Sequence, residues 1–225
     1  MKKSINPIRN PTSPSHQGFT IVEALVGITV AGLVFASTAP LILLAMATRL
    51  QSYRALQAMQ IAQGEINRVQ VLMSEGIKQD QETGQLPPPV ASNVAITQVA
   101  APTTSVKDAT ISAVDQSSKA LEIDLDNNPN TTDDVFLVQT FRDAGIRFDQ
   151  GTAVNQLAIF RMGVRVYSGL AKSNLGSLQT TPISLNVTQS LAQQRTRPLA
   201  VLYAEVSRSD LQFSLQKYKQ YLNNN

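Results

Sequence analysis

Between Glu23 and Arg49 the chain runs for 25 residues without a charged side chain. Taken as a helix at about 1.5 Å per residue, the apolar stretch from Phe19 to about Leu44 is long enough to cross a hydrocarbon core of about 30 Å. A helix that is apolar on every side has no use in an ordinary small core. Part of the 43% hydrophobic content of this 225-residue chain therefore serves a membrane. Lys2, Lys3 and Arg9 precede the span and predict a single pass with a cytoplasmic N-terminus.

The segment ahead of the span, Met1 to Gly18, is polar and rich in Ser, Asn and Pro; Pro7, Pro11 and Pro14 deny it a stable helix. It reads as a leader. Its three basic residues account for the whole net charge of +3, since the remainder carries 16 basic and 16 acidic side chains. A pI near 9.3 thus says nothing for nucleic acid. Charge is nevertheless segregated: Gln79 to Thr140 holds 2 basic and 9 acidic residues, Phe141 to Asn225 10 basic and 4 acidic. Such halves can neutralise each other within one fold, pair between neighbouring subunits, or offer a basic region to a polyanion. The absence of cysteine excludes disulfides, thiol nucleophiles and thiolate metal sites, and the single histidine, His16, lies in the leader.

Beyond the span, Ala62, Ile66, Val69, Met73 and Ile77 recur at spacings of four, three, four and four, one helical stripe. One continuous helix is expected from Phe19 to about Lys78, roughly 90 Å long, its first half membrane-like and its second amphipathic. Gly76, Gly84 and Pro87, Pro88 and Pro89 then stop it. Val90 to Val114 gives no clear period. Phe160, Met162, Val164 and Val166 alternate with Arg161, Gly163 and Arg165, the period of a half-buried strand, and Val135 to Phe141 and Leu199 to Val206 are further strands. After Asp210, a candidate N-cap, a last helix is preferred to a strand, with Leu211, Leu215, Tyr218 and Leu222 sharing its apolar face. The expected fold is α+β: a long N-terminal helix whose second half packs on a mainly antiparallel sheet. Residues 1–18 form the leader, 19–50 the transmembrane helix and 51–225 an exported head that includes the rest of the helix.

A charge inside an apolar span costs about 2.5 to 3.5 kcal/mol at the helix centre, so Glu23 calls for a reason. It stands five residues beyond Gly18 in the string Gly18, Phe19, Thr20, Ile21, Val22, Glu23. That string resembles the N-terminal signal of the type IV pilin family. The resemblance covers the leader and roughly the first third of the remaining chain. It implies cleavage between Gly18 and Phe19 by a prepilin peptidase, methylation of the Phe19 amine, and a subunit-assembly role for Glu23. Pro40 falls where many family members carry a helix-kinking proline. The implied function is structural, not enzymatic: a minor pilin or pseudopilin built into a type IV pilus or secretion pseudopilus. The implied partners are the peptidase, other pilins, an inner-membrane assembly platform, and membrane lipid before assembly, with the head periplasmic. Within the family, Ala47 to Arg68 is similar to the cyanobacterial pseudopilins associated with hormogonium polysaccharide secretion. The lack of cysteine departs from the many pilins with a C-terminal disulfide loop and favours a minor subunit.

The residue types suit that role. Glycine lets the chain run extended through a protease site, and a cut ahead of the span leaves the membrane helix on the product. The new amine can pair with Glu23 of a neighbour, each charge lifting the other's burial penalty and fixing axial register. Gly27 and Gly32 permit close helix approach, and Pro40 removes one helix hydrogen bond. Two other readings stay open, an ordinary signal anchor and a secretory signal cut after Ala45, Met46, Ala47.

Asp124, Asp126 and Asn128, then Asp133 and Asp134, supply the alternating oxygens a calcium ion uses. Pro129 and Val135 stand where a helix-loop-helix calcium site needs glycine and a bidentate glutamate, and a solvated acidic turn competes with it. No cofactor is otherwise called for. Beyond the leader, catalysis finds no imidazole, thiol, nucleophile elbow or phosphate loop. A different class of function is a polyanion-binding adhesin using the basic region from Arg142 to Lys219.

Overall fold

A computed structural model describes residues 18–77, 79–107, 114–126, 135–148, 155–183, 193–208 and 211–223. The chain divides into two compact units, Met1–Met46 and Ala47–Asn225. Helix α1 (Ile21–Glu75) contributes to both, with Pro40 inside it. In the first unit its apolar side chains all face outward, among them Leu25, Ile28, Leu33 and Phe35. This is the one helix among the described residues long and apolar enough to cross a membrane.

In the second unit α1 becomes one-sided. Ala58, Ala62, Val69 and Met73 are fully buried while Leu56 and Val71 stay exposed, as the expected stripe requires; Ile66 is partly buried against the same core. The helix ends at Glu75, slightly short of the expected Lys78, because Gly76 adopts φ +84. A left-handed glycine just past the last turn is a common helix stop. Its missing side chain also makes room for Arg208, whose Nη2 would lie 2.6 Å from a Cβ there. A short helix α2 (Gln79–Gln85) follows, leaving helical dihedrals at Thr83 and Gly84.

The sheet comprises β1 (Thr104–Lys107), β2 (Lys119–Asp124), β3 (Val135–Arg142), β4 (Ile146–Phe148), β5 (Gln156–Ser168) and β6 (Ala200–Ser207). The long strand β5 pairs antiparallel with β3, β4 and β6; β3 continues to β2, and only the β1–β2 pair is parallel. The fold is thus α+β with a mainly antiparallel open sheet. Phe160, Met162, Val164 and Val166 face the α1 stripe together with Phe136, Val138, Ala200 and Val206. Val90 to Val114, ambiguous in sequence, supplies a 3-10 turn at Ile96–Gln98 and strand β1.

Two expectations are corrected. β5 is not half-buried: both faces are covered, and Arg165 is completely inaccessible. Phe141 lies over its second face with Ile96 and Val99, and Gly163 permits this, since a Cβ there would meet the Phe141 ring at 2.5 Å. The C-terminal helix α3 (Leu211–Asn223) forms as expected, but Leu215 and Leu222 are exposed, Tyr218 is 38% exposed, and Tyr221 is the buried anchor at 4%. A polar contact decides this: the Tyr221 hydroxyl donates to Asp143 Oδ2 at 2.7 Å, while Asp143 Oδ1 accepts from the backbone N–H groups of Gly145 and Arg161. Asp210 lies outside the described residues.

Candidate functional site

Gly18, Phe19 and Thr20 precede α1 in non-helical, exposed chain. Thr20 closes the helix start: its Oγ1 accepts from Glu23 N at 3.2 Å and its carbonyl from Ala24 N at 3.0 Å. A helix begins with unpaired N–H groups, and a threonine oxygen is well suited to one of them. Thr20 and Glu23 also have the Ser/Thr-x-x-Glu spacing of a capping box, a local signal that by itself marks a helix start at Ile21. Glu23 therefore sits in the first turn, where the positive end of the helix dipole favours a carboxylate. The Gly18–Phe19 bond lies just outside the capped helix. A Cβ at Gly18 would meet nothing within 4 Å, and Phe19 is 83% exposed.

Downstream, the hydroxyls of Ser37 and Thr38 donate back to the Val34 carbonyl, at 2.9 and 3.0 Å, two to three residues ahead of Pro40. Polar side chains in the span are thereby satisfied inside the helix, which an apolar surrounding demands. Gly27 and Gly32 are open on the helix surface.

Of the suggested calcium ligands, Asp124 ends β2 opposite Val135, and Asp126 follows it. Asn128, Asp133 and Asp134 lie outside the described residues, as do most of the leader and His16. Among the described residues no three carboxylate or imidazole side chains converge as a metal site would require.

The segregated charges meet within the second unit. Glu82, from the acidic stretch, is 6% exposed and takes Arg147 through both oxygens, at 3.0 and 2.7 Å, with Arg142 3.8 Å away. Burial lowers the Arg142 pKa against the opposing pull of Glu82. Glu122 accepts from Ser105 Oγ at 2.5 Å and Lys172 Nζ at 3.0 Å. Burial pushes its carboxyl up, but these two donors and the Lys172 and Lys107 charges outweigh it and hold it below the usual range. Arg161 pairs with Glu205 at 3.2 Å.

Arg165 is different, because among the described residues none of its hydrogen-bond partners is a carboxylate. Its Nη1 donates to Val99 O at 2.7 Å, with Ala100 O and Gln139 Oε1 at 3.4 Å, and its guanidinium lies over the Phe141 ring, 4.7 Å from the centroid. Gln139 Nε2 adds bonds to Ala100 O and Ser117 O, at 2.8 and 2.6 Å. Two polar side chains thus pin the irregular stretch over β3 and β5. The alternation of β5 had marked Arg165 as solvent-facing, and no sequence signal pointed to those distant carbonyls. No family model, curated protein or solved structure matches the chain.

Proposed function

We propose that this chain is a structural subunit of the type IV pilin-like class, a minor pilin or pseudopilin matured between Gly18 and Phe19 and assembled through α1. The observation that carries this reading is the start of α1. An exposed glycine–phenylalanine bond precedes a threonine-capped helix, and Glu23 is the sole charged side chain from Phe19 to Thr48.

Cleavage there would leave an ammonium group at Phe19, next to the N-terminus of a helix. The dipole disfavours a cation at that end, and lipid disfavours it further. A carboxylate is its natural partner, and Glu23 of a neighbouring subunit supplies one while setting axial register. Before assembly the exposed apolar surface of Ile21 to Met46 would rest in the inner membrane, N-terminus cytoplasmic and head periplasmic; afterwards it would pack against other subunits. The polyanion-binding alternative draws less support, because five of its ten basic residues are taken: Arg142 and Arg165 are buried and Arg147, Arg161 and Lys172 are held by carboxylates.

N-terminal peptide mass spectrometry of membrane and filament fractions tests the proposal. The expected peptide begins at Phe19 and carries one methyl group on its amine. A mature start at Thr48, or an intact Met1 in assembled material, would overturn it.

A further inference from the structure

A cavity of about 260 Å³ opens in the second unit beside Pro87, Pro88 and Pro89, lined also by Glu82, Arg142 and Arg147, with Asp115 among the other walls. The backbone fixes Arg142 to this proline run: its N–H donates to Pro88 O at 3.0 Å and its carbonyl accepts from Val90 N at 2.8 Å. The side chain is 5% exposed. Among the described residues its only side-chain hydrogen bond is Nη1 to Asp143 O at 3.1 Å, and its buried Nε has no partner. Phe160 lies against the guanidinium, 5.6 Å from centroid to Cζ. The nearest oxygen of Glu82 is 3.8 Å away, outside hydrogen-bond reach, because Glu82 is engaged by both arms of Arg147. Arg142 is thus a cation on a cavity wall with most of its five N–H donors unused, and a guanidinium cannot relieve that by deprotonating.

We propose that this cavity binds a small carboxylate, with Arg142 as the residue that holds it. Geometry selects the class. The unused N–H donors of a guanidinium form a planar fork that matches the two oxygens of a carboxylate. Glu82, Asp115 and Asp143 nearby disfavour a dianion. The prolines present no N–H, so the arginines dominate recognition of the carboxylate. The volume admits either a free organic acid or the C-terminal residue of a peptide.

The test uses the full-length chain in detergent micelles with ¹⁵N-labelled arginine, the Arg142 Nε–H signal being assigned by Arg142→Lys. Acetate, N-acetylalanine, N-acetylalanine amide and inorganic phosphate are the probes. A saturable shift of the Arg142 signal with N-acetylalanine, none with its amide and a weaker one with phosphate is expected, while the Arg165 signal stays in place. Saturation by acetate as well identifies a site for free acids; saturation by N-acetylalanine alone identifies a peptide C-terminus. Glu82→Gln removes the competing carboxylate and should tighten carboxylate binding about tenfold and admit phosphate. The proposal is overturned by no saturable shift with either carboxylate, by an equal response to the amide, by parallel movement of Arg142 and Arg165, or by a folded Glu82→Gln that binds no tighter. Should Glu82→Gln fail to fold, the wild-type titration alone decides.

Discussion

Glu23 has one physical reason in the structure to be where it is and a second in the proposed assembly, and their sizes separate them. As a first-turn carboxylate it stabilises its own helix by about 0.3 to 1 kcal/mol. As the partner of a neighbour's amine, its loss would strand a buried charge at a cost of roughly 3 to 5 kcal/mol. Glu23→Val should therefore leave membrane insertion and cleavage intact and strongly reduce incorporation into filaments. Immunoblots of sheared material against whole-cell amounts read this out, and wild-type incorporation would refute the pairing. Glu122 makes a separate prediction. Its folded pKa is depressed below the ordinary 4.5, so its contribution to stability is complete above that value and is lost as pH falls through the lower folded one. Acid unfolding of the second unit should be less steep below about pH 4.5 in Glu122→Gln, followed by circular dichroism.

At the level of elements, the two terminal helices use their apolar residues differently. The second half of α1 buries Ala58, Ala62, Val69 and Met73 against β3, β5 and β6, so periodicity and packing agree. In α3 they disagree, because Tyr221 and its bond to Asp143 choose the buried side and leave Leu215 and Leu222 outside. Tyr221→Phe keeps the ring but deprives Asp143 of a donor, and should cost about 1 kcal/mol in urea unfolding. Leu215→Gln should stay within about 0.5 kcal/mol of wild type. The reverse order would mean that the leucine face is the packed one. Burial of Tyr221 and the nearby Asp143 charge also raise its pKa well above that of a free phenol.

For the whole molecule, the division near Met46 separates a stretch of α1 whose apolar side chains are exposed from a unit with a core and internal ion pairs. A fragment starting at Gln51 should accordingly be a soluble, monomeric domain. The full chain should partition into detergent or lipid. Without cysteine, the fragment should melt at one temperature with or without reductant. Circular dichroism and sedimentation check this, and an unfolded or aggregated fragment would contradict the division.

The sequence by itself determined the features that depend on local period and composition. The 25-residue uncharged run, the α1 stripe, strands β3, β5 and β6 and the presence of α3 all repeat a single pattern over enough residues to be recognised. The helix start differs from the expected Phe19 because Thr20 caps at Ile21, a contact between neighbours three residues apart that the local sequence carries. Strands β1 and β4, four and three residues long, and the mixed-charge β2 carried no such pattern. Tertiary structure alone decided that Arg165 is buried, because the Val99 carbonyl that accepts from it lies 66 residues away in the chain and Gln139 26. It likewise set Glu82, 65 residues before Arg147, between two arginines. A charged side chain can be buried only where its hydrogen-bonding partners are brought to it, and chain folding, not local sequence, does the bringing.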